Sequence, residues 1–319
     1  MIGMAERVCV VMPTYNELDN LEPTLTALFE RNPDVDVLIV DDNSPDGTGR
    51  LADVISRATR KSAVAGTHNA ITEHSLQGNA GISTADLAVA NRVNRVTAGS
   101  RLFVLHRAGK QGLGSAYLEG FAWALERGYD IICEMDMDGS HRPEDLRRIL
   151  ARIREDGDVD LVLGSRRVPG GTTRDWPWYR DAISRAGSSY ARLMLGLKVR
   201  DMTSGFRAYR APILRRLDLG SIDDNGYVFQ IDMTRRVVAA GGTVVEVPIV
   251  FPERALGSSK MDGSIVQEAM RKVTQWGVAR MTKRLRDPRE RARDRECAER
   301  QVRDLPDEDF AEDARDVPR

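Results

Sequence analysis

Short apolar runs rich in β-branched residues recur along the chain, separated by stretches with helical spacing. "RVCVVMPTY" (7–15) reads as a strand and is followed by a helix from Asp19 to about Arg31. "VDVLIVDD" (35–42) is a second strand, with a helix beginning near Thr48. "RLFVLHR" (101–107) is a third, leading into the helix "GSAYLEGFAWALERG". "YDIICEMD" (129–136) is a fourth, with a helix after Pro143, and "VDLVLGSR" (159–166) is a fifth. Strands with so few polar positions are buried on both faces. Alternation with helices therefore predicts an α/β fold, a Rossmann-like, mostly parallel sheet with helices on both sides. In such sheets ligands bind beyond the carboxyl ends of the strands.

Polar clusters stand at those ends: "PTYNE" after the first strand, "DDNSPDGT" after the second, "DMDGSH" after the fourth and "GSRR" after the fifth. Residues 62–100 break the alternation. They are small and polar with little periodicity, and read as an insertion loop. Residues 284–319 alternate arginine with acidic residues and lack core positions; they read as a charged, disordered tail, with a solitary charged helix as the alternative for "RDPRERARDRECAERQVRD" and disorder for "LPDEDFAEDARDVPR". The folded part is thus expected to span 1–283 as one domain.

Composition narrows the classes. The 319 residues are 41% hydrophobic, enough for a sizeable core, and the net charge of −1 offers no global attraction for nucleic acid. The cysteines Cys9, Cys133 and Cys297 are too few and too far apart for a disulfide framework, and suit a reducing compartment. No stretch of about 18 uncharged apolar residues predicts a membrane span, and the opening "MIGMAERVCVVMPTYNE" reads as a strand rather than a signal peptide.

The sharpest chemical signal is "EMDMDGSH". Extended alternation places Asp136 and Asp138 on one face. Two like charges so close call for a cation between them, and hard carboxylate oxygens suit Mg²⁺ or Mn²⁺ completed by phosphate and water. Ser140 is a weaker third ligand, and His141 reads as a structural histidine. In "DDNSPDGT" the aspartates Asp41 and Asp42 either cap a turn or accept hydrogen bonds from a base or ribose. Pro13 and Asn16 suit a turn, and Glu17 a helix N-terminus. Among the arginines, Arg166 ends a strand and Arg180 follows the aromatic "DWPWY". Paired guanidinium forks grip phosphate.

Together "VVMPTYNE", "VDDNSPDGTG", "GKQGLGSAYLEGF", "MDMDGSH", "GSRRVPGG", "DMTSGFRAYR" and "GSSKM" resemble the family 2 glycosyltransferases of GT-A fold. Within them the resemblance is to the dolichol-phosphate (polyprenol-phosphate) mannose synthases. It implies an inverting transfer of mannose from GDP-mannose to a polyprenyl monophosphate. It also implies that Pro13, Tyr15, Glu17 and Asp42 hold the guanosine side of the donor. Asp136 and Asp138 would hold the bridging metal, with Ser140 where some relatives carry glutamine. Lys260 would close over the donor phosphates, and Arg166 and Arg180 would clamp the acceptor phosphate. Ser204 and Arg207 are site candidates by the same resemblance, or structural residues. An acceptor in a bilayer implies peripheral attachment to the cytoplasmic face, through "RDAISRAGSSYARLMLGLKV" and "SIVQEAMRKVTQWGVARMTKR" or through a separate membrane-spanning subunit. The alternatives are a polyprenyl-phosphate glucosyltransferase using UDP-glucose, a soluble glycosyltransferase acting on a sugar hydroxyl, and a non-catalytic nucleotide-binding module.

Overall fold

The computed structural model describes residues 6–65, 83–97, 99–222, 226–253 and 263–286. Seven strands form the central sheet: β1 (Val8–Thr14), β2 (Val35–Asp41), β3 (Leu102–His106), β4 (Ile131–Glu134), β5 (Leu161–Ser165), β7 (Arg207–Arg210) and β8 (Val244–Pro248). Their order is β3-β2-β1-β4-β7-β5-β8. All neighbours run parallel except β7, which is antiparallel to both β4 and β5. Two short strands, β6 (Thr172–Arg174) and β9 (Val250–Pro252), pair separately.

Side-chain alternation sorts each strand between two cores. Val8, Val10 and Met12 join one cluster with α1 (Leu18–Arg31), α2 (Thr48–Ala65), α3 (Thr84–Val96) and α5 (Pro143–Glu155). Cys9 and Val11 join the other, with α4 (Leu113–Glu126), α6 (Trp178–Leu195), α7 (Ala211–Arg216), α8 (Gly226–Ala239) and α9 (Gly263–Arg286). The close seat of α4 on β1 requires glycine at 120. A Cβ there would approach Val11 Cγ1 to 2.4 Å.

Three boundaries depart from the sequence reading. The stretch 62–100 is not all loop: α2 continues to Ala65, and α3 occupies Thr84–Val96. α3 is started by a capping box, in which Ser83 Oγ accepts from Asp86 N–H and Asp86 accepts from Ser83 N–H. Leu87, Ala90 and Val93 of α3 are core residues, while 66–82 and 98 lie outside the described residues. Leu87→Ala is therefore expected to destabilise the fold by about 2–5 kcal/mol, seen as a lower urea midpoint. An unchanged midpoint would restore the reading of this stretch as an insertion loop. The second departure is the tail: α9 runs through residue 283 to Arg286, so the expected domain limit falls inside a helix, and residues 287–319 are outside the described set. The third is β4, which stops at Glu134, two residues before the first aspartate of the pair.

Candidate active site

β2, β1 and β4 are neighbours and parallel, so their carboxyl ends meet at one edge. β5 ends at the same edge, because β7 reverses direction between it and β4.

After β1 and β2 the chain turns through left-handed residues, Asn16 (φ 59°) and Asn43 (φ 57°), a conformation asparagine tolerates. Pro13 lies within β1 opposite Val40. The Tyr15 ring carries the Lys110 ammonium 4.9 Å from its centroid. Glu17 is the N-cap of α1, and its carboxylate accepts from Asn20 Nδ2 at 2.7 Å. The two aspartates after β2 have separate tasks. Asp41 is the turn residue, accepting from Ser44 Oγ at 2.6 Å. Asp42 instead pairs with Arg107, a buried guanidinium that also binds Glu119 Oε1 at 2.9 Å. Burial pushes the Asp42 carboxyl up, against the pull of Arg107.

Beyond β4 the sequence Met135-Asp136-Met137-Asp138 loses the strand's alternation. Both methionines enter the core, Asp138 is buried and Asp136 is half-buried. The same-face argument from strand geometry therefore fails in its premise: both aspartates lie beyond the end of the strand. Each is instead oriented by a hydroxyl. Tyr117 Oη donates to Asp136 Oδ1 at 2.8 Å, and Ser140 Oγ donates to Asp138 Oδ1 at 2.5 Å. Asp136 N–H donates to His141 Nδ1 at 2.8 Å. That bond requires an unprotonated Nδ1, and burial, first of all, holds His141 below its ordinary range. His141 is thus a neutral structural residue, stacked on Phe206 at 4.6 Å.

Two carboxylates of this kind fit a hard divalent cation. The negative potential around them is visible in Tyr117, whose hydroxyl is pushed well above its usual range by burial and then by Asp136 and Glu134. Among the described residues no cluster of three or more His, Cys, Asp or Glu is placed to hold a metal. Mg²⁺-type sites use one or two carboxylates and are completed by phosphate and water.

Behind the pair, Glu134 is fully buried. It accepts from Tyr209 Oη at 2.8 Å and from Gln230 Nε2 at 2.6 Å. Burial pushes this carboxyl up to about 7, although Arg207 opposes the shift. Arg207 is itself fully buried and donates to Ser204 O at 2.6 Å and to Thr234 Oγ1 at 3.1 Å. Ser204 Oγ donates to Gly164 O at 2.5 Å. Of the two readings of Ser204 and Arg207, these contacts support the structural one.

The arginines converge on one indole. The Trp176 ring lies 4.0 Å from the Arg180 guanidinium carbon and 5.7 Å from that of Arg166. Arg166 grips Asp201 with two bonds of 2.7 Å, in a pair buried on both sides. Burial alone would raise Asp201, but Arg166 holds it below the usual carboxylate range. Arg180 pairs with the half-exposed Glu253. The Nε–H of Arg180 and the indole N–H of Trp176 are buried with no partner among the described residues. Both residues, with Arg166, line a slot between α6 and α9 that is otherwise largely apolar, including Ile183, Tyr190, Ala269 and Val273.

An aromatic wall joins the two halves of the site. Phe251 contacts His141 at 5.4 Å, Trp176 at 5.5 Å and the Arg166 guanidinium at 5.2 Å. The aspartate pair and the arginine pair, 30 or more positions apart in most pairings and unrelated by any local pattern, are thus neighbours through His141 and Phe251. Lys260 lies outside the described residues. Sequence reasoning missed Arg107, Tyr117, Trp176, Asp201 and Glu253. Tyr117 stands inside "GLGSAYLEGF" and Asp201 heads "DMTSGFRAYR", but only the fold shows what each of them touches.

This fold and site belong to a known class. The glycosyl transferase family 2 model matches residues 9–72 and 83–218, and the chain belongs to that family. Its sequence is 44% identical over 273 residues to a polyprenol monophosphomannose synthase of Mycolicibacterium smegmatis, covering 86% of this chain and 88% of that one. It is 48% identical over 273 residues to an undecaprenyl-phosphate mannosyltransferase of Micrococcus luteus, covering 86% and 95%. Among solved structures, glucosyl-3-phosphoglycerate synthase of Mycobacterium tuberculosis, in complex with Mn²⁺, UDP and phosphoglyceric acid, superposes with a TM-score of 0.53 at 18% identity. It covers 86% of this chain and 79% of that one, a likeness of GT-A fold.

Proposed function

We propose that the protein transfers mannose from GDP-mannose to a polyprenyl monophosphate, giving a β-linked mannosyl phosphate by a single displacement. One observation supports this most: a carboxylate pair suited to a metal–diphosphate shares a wall with an arginine pair that opens onto an apolar slot. The two relatives, named as mannosyl transferases to polyprenyl phosphates, favour mannose over the glucose alternative.

A bound divalent cation would offset the charge growing on the departing diphosphate. Asp136 and Asp138 would hold it, with Ser140 acting through Asp138 rather than as a direct ligand. Pro13, Tyr15, Glu17 and Asp42 would line the guanosine end, and Lys260 the phosphates. The acceptor is an anion already and needs no strong base; it needs its repulsion from the donor reduced. Arg180 and the Trp176 indole offer buried N–H donors with no partner among the described residues, and a phosphate oxygen would satisfy them. The slot between α6 and α9 would take the first prenyl units.

No helix among the described residues is long and apolar enough to cross a membrane. α6 and α9 pack together, with Tyr190 Oη and Thr274 Oγ1 2.6 Å apart. They expose Trp178 (82%), Leu193 (77%) and Leu285 (77%), with Arg192, Arg271 and Lys283 on the same helices. This combination suits peripheral seating on the cytoplasmic leaflet, and it requires no separate spanning subunit. Purified protein supplied in parallel with GDP-mannose, UDP-glucose and UDP-GlcNAc, with polyprenyl phosphate and Mn²⁺, is expected to yield mannosyl lipid alone. Glucosyl lipid as the main product would overturn the donor assignment.

A further inference from the structure

Guanidinium groups and hydroxyls both reach aspartates at this end of the sheet. Asp42 and Asp201 receive guanidinium groups, from Arg107 and Arg166. Asp136 and Asp138 receive hydroxyls, from Tyr117 and Ser140. A guanidinium both orients a carboxylate and offsets its charge. A hydroxyl orients it and leaves the charge in place. Ser140 is a sequence neighbour of Asp138, so that bond is local. Tyr117 comes from another element, and its position is built from several directions.

α4 begins at Gly112, whose φ of 107° sets the entry of the helix. One turn after Tyr117, Gly120 lets the helix approach β1 so closely that a Cβ would strike Val11. The Tyr117 ring is fully buried, stacks on Phe229 of α8 at 6.0 Å and 4°, and lies 6.1 Å from Phe121. The ring therefore has one place to put its oxygen, 2.8 Å from Asp136 Oδ1. The backbone of Asp136 is tied separately, by its N–H to His141.

We infer that Tyr117 is the positioning residue of the metal site: its hydroxyl fixes the Asp136 carboxylate in the orientation that receives the cation. The inference rests on the reading of Asp136 and Asp138 as metal ligands. Partners that orient a ligand are typically worth about 10–100-fold in metal affinity.

The test is Mn²⁺ binding in the presence of GDP, followed by electron paramagnetic resonance of the free ion, on the full chain. Tyr117→Phe removes one oxygen and keeps the stacked ring; it is expected to weaken Mn²⁺ binding about 10–100-fold. Val237→Ala, a core substitution on α8 two turns beyond Phe229, leaves the stacked ring and its hydroxyl in place; it is expected to lower the melting temperature while leaving Mn²⁺ affinity near the wild-type value. Equal Mn²⁺ affinity in Tyr117→Phe and wild type would overturn the role of Tyr117. So would a loss in Val237→Ala as large as that in Tyr117→Phe, since lost stability would then explain both. Absence of Mn²⁺ binding in the wild type would instead overturn the metal reading beneath it.

Discussion

Asp138→Asn is expected to fold normally and to lose mannosyl transfer by about 100-fold or more in kcat, the scale on which one lost electrostatic contact to a transition state is felt. The substitution keeps the size of the side chain. An amide oxygen at that place still accepts the Ser140 hydroxyl, now 2.5 Å from Asp138 Oδ1. What disappears is one negative charge beside Asp136. The melting temperature should therefore stay close to that of the wild type, while metal dependence shifts to much higher Mn²⁺ concentration. Turnover measured across a Mn²⁺ titration decides the matter. Undiminished kcat, or full wild-type activity in excess chelator, would remove the metal from the mechanism.

The second large effect separates two arginines that the sequence presents as equivalents. Arg180 pairs with Glu253, a carboxylate with 39% of its side chain exposed. Loss of Arg180 leaves Glu253 with access to water, so Arg180→Ala should fold. A charge-assisted bond to phosphate contributes about 1.5–3 kcal/mol, which predicts a tenfold or greater loss in acceptor kcat/KM with little change in the KM for GDP-mannose. Arg180→Lys should recover only part, because lysine lacks the planar fork. Arg166 differs. Its partner Asp201 is wholly buried, and stripping one member from a buried pair costs about 3–5 kcal/mol. Arg166→Ala is thus expected to lose stability together with acceptor use, and denaturation curves must accompany its kinetics. Arg147→Ala, an exposed residue of α5, serves as the control. If Arg180→Ala raises the KM for GDP-mannose and spares the acceptor, the guanidinium belongs to the donor diphosphate.

The strands were legible because their burial on both faces leaves a plain apolar run. β1 and β2 fall within one residue of their expected limits at each end. β4 was over-read at both ends, because Tyr129 and Met135 are as buried as the strand they flank. α3 was hidden by its own composition. Its core face is Leu87, Ala90 and Val93, backed by buried Asp86 and Asn94, so apolar and polar positions scarcely differ along it. At the site, each strand-end cluster was visible as a local departure from apolar sequence. The partners were not, since Arg166 and Asp201 lie 35 positions apart and Arg180 and Glu253 lie 73 apart. Such pairings are made by sheet order, which periodicity does not encode.

The antiparallel strand β7 also bears on how the chain assembles. β4 is the neighbour of β1 on one side and of β7 on the other, and the tyrosine that caps Glu134 arrives 75 positions later in the chain. During synthesis, the segment carrying β1 to β4 emerges first, before the strand that pairs with β4 on its other side. Only when β7 enters between β4 and β5 does Glu134 gain its tyrosine partner. The first half of the protein to leave the ribosome therefore carries the aspartate pair without the strand that supports it. Long-range closure of this kind is slow compared with helix formation.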